Sequence, residues 1–291
     1  MEPNSTGASA AGAAGPVAVA TDGSPTAGTA VRWAAQEAAR RRLPLHIVYV
    51  REPQPRYGEA VPDGESGADE RGRVILAAAR ASVTGLFPGV PATTEELRGH
   101  PAPALIDLAS GCSLLVIGHR GTGRFAGLLL GSTGLRVAGR TACPVVVVRG
   151  DVSGTRGAVV AGIELERDNA AVLELAFTEA RARGASLRAV HSWDTPDLAV
   201  LSAGPLDRME ALLEPWAERF PDVKCTGDMP FEHPVAALTG ESRHADLLVV
   251  GSRGLGGFKG AVLGSVSHGV LHHADCPVAV VTARPETRGG A

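Results

Sequence analysis

The sequence predicts the α/β class: an open parallel sheet covered on both faces by helices and present in two consecutive copies. Short apolar runs such as Leu114-Leu115-Val116-Ile117 alternate with helical stretches, and a strand with no polar face belongs in a sheet buried on both sides. The chain also matches itself. Asp22 falls on Glu164, Glu37 on Glu179 and Val48 on Val190, each 142 positions apart. Further along, His100-Pro101 falls on His233-Pro234, Gly118 on Gly251, Ser132 on Ser265 and Cys143-Pro144 on Cys276-Pro277, each 133 apart. The second copy is therefore nine residues shorter, the loss lying between its second strand and the His-Pro turn. Shared order and spacing over the whole length mark a tandem pair of domains.

In the first copy, Val17 to Ala20 is expected as a strand, Thr26 to Arg42 as a helix and Leu45 to Val50 as a second strand. A helix from about Asp69 to Gly85 follows, then a strand near Ala92 to Leu97 and a helix from Ala102 to Ser110. Leu114 to Ile117 is the next strand, Ser132 to Gly139 a helix and Val145 to Val148 the last strand. Arg51 to Ala68 is rich in Pro and Gly and reads as a long irregular loop, a lid or a disordered segment. Turn formers and charge from Gly150 to Gly157 place the domain boundary there, giving domains at 16–150 and 157–283.

Composition excludes several classes. A chain of 291 residues with a net charge of −3 has no basic stripe of the kind a nucleic-acid surface requires. No apolar run reaches the ~20 residues of a bilayer span. Residues 1–15 are mostly Ala, Gly and Ser with an acidic Glu2, which fails as a signal peptide and reads as a disordered tail. With four cysteines in no dense pattern, a reducing, cytoplasmic location is expected.

The chemistry points to two glycine-rich turns. Gly118-His119-Arg120-Gly121 leaves an apolar strand and, nine residues later, Gly131-Ser132 opens a helix; Gly251 to Gly254 and Gly264-Ser265 repeat the spacing. Glycines there let a backbone approach a ligand closely and aim amide hydrogens at it, which suits an anion such as phosphate. The alternative is that they only make a tight turn. No P-loop is present in the first half, which contains no lysine, so a conventional P-loop hydrolase is excluded there.

This spacing resembles that of the universal stress protein family, whose ATP-binding members carry G-2x-G-9x-G-(S/T) after the fourth strand. The resemblance covers Pro16 to Arg149 and Gly157 to Ala283. It implies two Rossmann-like domains of the adenine nucleotide alpha hydrolase type, each with a five-stranded parallel sheet. ATP, with Mg²⁺, would lie across the strand ends. In the first domain the implied contacts are Ala20, Thr21, Asp22, Val50, Gly118, Arg120, Gly121, Gly123, Gly131, Ser132 and Thr133. In the second they are Gly251, Arg253, Gly254, Gly264, Ser265 and Val266. Asp22 matches the family's acidic residue near the nucleotide, where it would bond a ribose hydroxyl or hold the metal. Read from the residues alone, Asp22 or Ser24 caps the first helix, and one carboxylate can do both.

In the second copy Glu164-Leu165-Glu166 replaces Asp22-Gly23-Ser24, so a longer acid, a lost glycine and a second negative charge predict weaker nucleotide binding, or none. Lys259, inside that loop, either offsets some of that repulsion or is a solvated charge. His244, His268, His272, His273, Asp246 and Asp275 lack the separations of a zinc site and read as surface or capping groups. Cys143 and Cys276 suit small buried positions, and Cys112 and Cys225 have no neighbouring base to mark a nucleophile. Three functions remain open: a nucleotide-dependent stress-response regulator, a slow ATP hydrolase at the first site with Asp22 on Mg²⁺, and a nucleotide-free scaffold. The last would dimerise through Val145 to Val148 and Val278 to Val281 as exposed edges.

Overall fold

The computed structural model describes residues 15–53, 64–121, 131–192, 204–252 and 263–282. The first half runs β1 (Val17–Ala20), α1 (Pro25–Arg41), β2 (Leu45–Arg51), α2 (Gly64–Leu86), β3 (Ala92–Arg98), α3 (Pro101–Ala109), β4 (Leu114–Gly118), α4 (Ser132–Val137) and β5 (Val145–Val148). The second half runs β6 (Ala158–Gly162), α5 (Ala170–Arg183), β7 (Ser186–Val190), α6 (Pro205–Arg219), β8 (Cys225–Asp228), α7 (Pro234–Ser242), β9 (Leu247–Gly251), α8 (Ser265–His273) and β10 (Val278–Val281). Each half is a five-stranded parallel sheet, as expected, with β1 between β2 and β4 and β6 between β7 and β9. The segment read as a loop up to Ala68 is already helical from Gly64. The expected tail, and most of the Pro-rich stretch before Gly64, lie outside the described residues.

Strand alternation divides the core into two layers. Val17, Val19, Leu114, Val116, Val146 and Val148 face α1 and α2, whereas Ala18, Leu115, Ile117, Val145 and Val147 face α3 and α4. The second half repeats this, and each layer runs continuously through both halves. Such strands have no polar face to give to water.

The two sheets are one. β5 and β10 pair antiparallel, Val278 opposite Val147 and Val280 opposite Val145, producing a ten-stranded sheet in the order β3-β2-β1-β4-β5-β10-β9-β6-β7-β8. The expectation that these valine strands are exposed edges for a second chain is therefore corrected: their edges satisfy each other inside the chain. The outer strands are β3 and β8, and β3 carries Glu95, Glu96 and Arg98, charge of the kind that blunts an edge.

Beside the seam, α1 and α5 bring together residues from matching repeat positions. Glu37 accepts from Arg41 Nε at 2.7 Å and from Arg183 Nη2 at 2.7 Å, and Glu179 accepts from Arg41 and Arg183. Arg183 also lies over the Trp33 ring, 5.8 Å from its centroid. Both carboxylates are buried. Burial opposes the charge on Glu37, but Arg183 and Arg41 outweigh it and hold this carboxyl down at about 2. Burial pushes Glu179 up, and the Glu37 charge adds to that push against the pull of the same two arginines. Arg40 also reaches Glu37, at 3.4 Å.

Candidate functional site

The site is built where β1 and β4, neighbours in the sheet, send their following helices to opposite faces; this switch point opens a crevice beyond the strand ends. The two connections are laced together. Thr26 Oγ1, in the first turn of α1, donates to Arg120 O at 2.7 Å. A Cβ on Gly118 would lie 3.1 Å from Thr26 O and 3.2 Å from Ala27 N, so the end of β4 meets α1 more closely than most side chains allow. Gly131 N donates to His119 O at 2.9 Å, which holds Gly118 to Gly121 beside the start of α4.

The β1–α1 turn is shaped by its own residues. Thr21 is buried, its amide bonded to Val48 O at 2.8 Å, and its Oγ1 accepts from Gly23 N at 3.3 Å. Gly23 takes φ +81°, a left-handed conformation beneath the Ile75 side chain. Asp22 Oδ1 accepts from Ser24 N at 3.0 Å, and Ser24 Oγ accepts from Ala27 N at 3.2 Å. Ser24 is thus the cap of α1, and Asp22 orders the turn before it. A Cβ on Gly121 would fall 2.6 Å from Asp22 Oδ2, which puts the predicted carboxylate directly against the predicted glycine loop. Ala20 and Val50 are half-buried at the strand ends, Ser132 is exposed and Thr133 half-buried at the opening of α4. Gly131 supplies no side-chain cap there, and the first amides of a helix have no partner within it. Burial, with Arg120 and Arg149 adding repulsion, pushes the His119 imidazole down towards its neutral form against its contact with Val148 O at 3.1 Å. Gly123, Arg253, Gly254 and Lys259 lie outside the described residues.

The second site keeps the closure but not the turn. Gly264 N donates to Ser252 O at 2.8 Å, Ser267 Oγ donates to Gly251 O, Ser265 is exposed and Val266 half-buried. However, α5 begins at Ala170, whereas α1 begins at Pro25, the repeat position of Arg167, so nearly a turn of helix is missing. Asn169 locks the unwound segment, accepting from Glu164 N at 3.1 Å and donating to Glu164 O and Arg167 O, each at 2.9 Å. Glu166 pairs with Arg208 at 2.8 Å, and Arg208 also donates to Leu165 O at 3.3 Å. The charge expected to repel phosphate is therefore offset by a cation that sequence reading missed. The signal for it was the exchange of Ile75 in the first copy for Arg208, 133 positions on.

Other candidates carry structure. Asp246 accepts from Arg156 N at 2.6 Å and Gly157 N at 2.8 Å, anchoring the interdomain segment, and Asp275 pairs with Arg243 at 3.3 Å. Burial pushes the Cys143 and Cys276 thiols up to about 12 and Cys225 up to about 11. A polar cleft of about 180 Å³ lies under that segment, between Trp33, Arg40, Arg156 and Arg183, away from the strand ends. Its arginines are already committed, Arg183 to the two glutamates and Arg156 to Arg243 O and Asp151 O. Among the described residues no helix is long and apolar enough to cross a membrane.

Comparison with known proteins bears on the whole chain. A universal stress protein of Mycobacterium tuberculosis is 34% identical over 284 residues, covering 91% of this chain and 96% of its own. One from Mycolicibacterium smegmatis is 34% identical over 289 residues, covering 92% and 97%. The crystal structure of a universal stress protein from Archaeoglobus fulgidus superposes with a TM-score of 0.73 at 19% identity, over 92% of this chain and 96% of that one, a likeness of fold. The profile of the universal stress protein family matches residues 14–149 and again 156–282, so the chain belongs to that family and carries its domain twice.

Proposed function

We propose that the first half binds an adenine nucleotide, ATP with Mg²⁺, and that the protein works as a nucleotide-dependent stress-response regulator. The observation that supports this reading is the juxtaposition of Asp22 Oδ2 with Gly121 in a loop closed by Gly131. Amides of the Gly118 and Gly131 segments would face the phosphates, with the Ser132 hydroxyl beside them. Ala20 and Val50 line the strand ends on which the adenosine would rest. Asp22 would hold Mg²⁺ through a carboxylate oxygen, and the ion would offset the charge of the phosphates. Regulation requires that nucleotide prefer one conformation over another, and the continuous sheet offers the mechanical link between halves. The second half, with its unwound turn, is the weaker site.

Isothermal titration of ATP tests this. Gly131 has φ −70° and its nearest added-Cβ contact, His119 O, at 3.8 Å, so Gly131→Asp fits without strain. Its carboxylate beside phosphate is expected to weaken ATP by about a hundredfold or more, the scale of a charge repulsion at ~4 Å in a partly screened site. Gly264→Asp is expected to leave the affinity almost unchanged. Undiminished binding in Gly131→Asp refutes the first loop as the site, and no binding by the wild type refutes the reading altogether.

A further inference from the structure

The second half of the molecule reaches the end of β5, the strand that pairs with β4 where the first loop begins. Arg149 follows β5, reaches over the antiparallel seam and donates from Nη1 to Leu271 O, in α8, at 2.5 Å. Its Nε is buried without a partner, and so is Nε2 of His272, the next residue of α8. Polar atoms enclosed by protein and left unbonded are costly.

The surroundings of these two atoms suit an anion. Arg149 adjoins Val148, whose carbonyl accepts the His119 amide at 3.1 Å, so the seam arginine stands beside the glycine loop. Arg120 and Arg149 repel one another's charge and that of His119, and Arg149 acts in the same sense on His272. His268 and His273 extend the cluster, their ring centroids 4.6 and 6.3 Å from that of His272. The carboxylate acting on Arg149 is Asp275, which is exposed and paired with Arg243. Two guanidiniums, those of Arg120 and Arg149, held close together attract negative charge. The fold does not require Arg149 or His272: in the repeat the position of Arg149 is Thr282 and that of His272 is Gly139.

We propose that Arg149 and His272 form a cross-domain subsite for the terminal phosphates of a nucleotide seated in the first loop. It rests on the reading of that loop as a nucleotide site. The subsite makes the first half selective for polyphosphate over monophosphate nucleotides. A bound triphosphate would also tie α8 of the second half to the loop of the first, coupling occupancy to the seam.

The test is titration of ATP and AMP into wild type, Arg149→Gln and His272→Gln, with thermal melts to confirm folding. Wild type is expected to prefer ATP by at least about tenfold, the scale of one or two charge-assisted hydrogen bonds. Arg149→Gln should lower ATP affinity about tenfold and leave AMP unchanged, and His272→Gln should act in the same direction by a smaller factor. Arg149→Lys, which keeps the charge, should recover part of the loss and covers the case in which the glutamine variant fails to fold. Inorganic tripolyphosphate alone should bind wild type more weakly than ATP. A wild type that binds ATP and AMP equally, or an ATP to AMP ratio unmoved by the folded variants, overturns the subsite alone. Failure of wild type to bind either nucleotide overturns the loop assignment with it.

Discussion

The two halves share one glycine-closed loop but approach it with different turns. In the first, a left-handed Gly23, an Asp22 turn and a Ser24 cap bring α1 right up to the loop, where Thr26 ties into Arg120 O. In the second, the helix starts later, Asn169 bonds the unwound backbone, and Arg208 neutralises Glu166. Duplication preserved the sheet and the loop closure, while the acidic turn drifted. What drifts between the copies is the part a ligand would touch, and what stays is the part that packs.

The largest expected effect comes where the copies are alike. Glu37 and Glu179 occupy one repeat position and share Arg41 and Arg183, yet their carboxyls are pushed in opposite directions. Glu37 in the fold lies near 2, below its ordinary 4.5, so folding favours its ionised form. That stabilisation is complete above pH ~4.5 and is lost as the pH falls towards 2. Glu37→Gln is expected to destabilise at neutral pH by about 3 kcal/mol, as for other broken buried ion pairs. Urea melts should show this deficit narrowing between pH 4.5 and 2, because wild type loses the charge the variant never had. Glu179→Gln should cost less at neutral pH. Equal costs for the two would mean that the two carboxyls are energetically equivalent despite their opposite shifts.

Much of this was legible in the chain, and the rest was hidden for physical reasons. Strand positions and the tandem repeat follow from apolar runs and spacing, which are local signals. Asp22 and the Gly118 loop could be nominated separately, although their contact depends on β1 lying next to β4. The valine runs Val145–Val148 and Val278–Val281 showed that two edges existed, but nothing local specified that each would be the other's partner. The buried cluster of Glu37, Arg41, Glu179 and Arg183 was visible only as an alignment of Glu37 on Glu179, because its members meet across that seam. The lost helical turn had a local trace in Arg167-Asp168-Asn169, where Asp168 and Asn169 bond the backbone and compete with a helix, but the acidic residues before it drew attention to charge.

A middle-sized effect comes from exchanging the turn residues. Gly23→Leu installs the second copy's residue at φ +81°, with Ile75 Cγ1 only 3.0 Å from the new Cβ. Left-handed backbone and overpacking together should cost about 2 kcal/mol by urea denaturation. Leu165, which packs against the core, has no positive φ, so the reverse change Leu165→Gly loses only side-chain burial, about 1 kcal/mol. If Gly23→Leu proves neutral, the two turns are interchangeable and the difference between the halves is one of sequence alone.

The smallest effects sharpen the contrast at the next position, Ser24 against Glu166. Ser24 Oγ accepts the Ala27 amide, a donor the helix cannot satisfy internally, so Ser24→Ala should cost about 1 kcal/mol. Glu166 makes an ion pair with Arg208 in which its side chain is 55% exposed, and solvent screening reduces such pairs to a few tenths of a kcal/mol. Glu166→Ala should therefore leave stability within about 0.5 kcal/mol and lose most of its small effect in 0.5 M salt, where charges are screened over a few ångströms. The cap, a short-range hydrogen bond, should be insensitive to the same salt. Comparable salt dependence in both variants would show that Ser24 acts through the field of Asp22 rather than by closing α1, and would make the two turns electrostatic versions of one device.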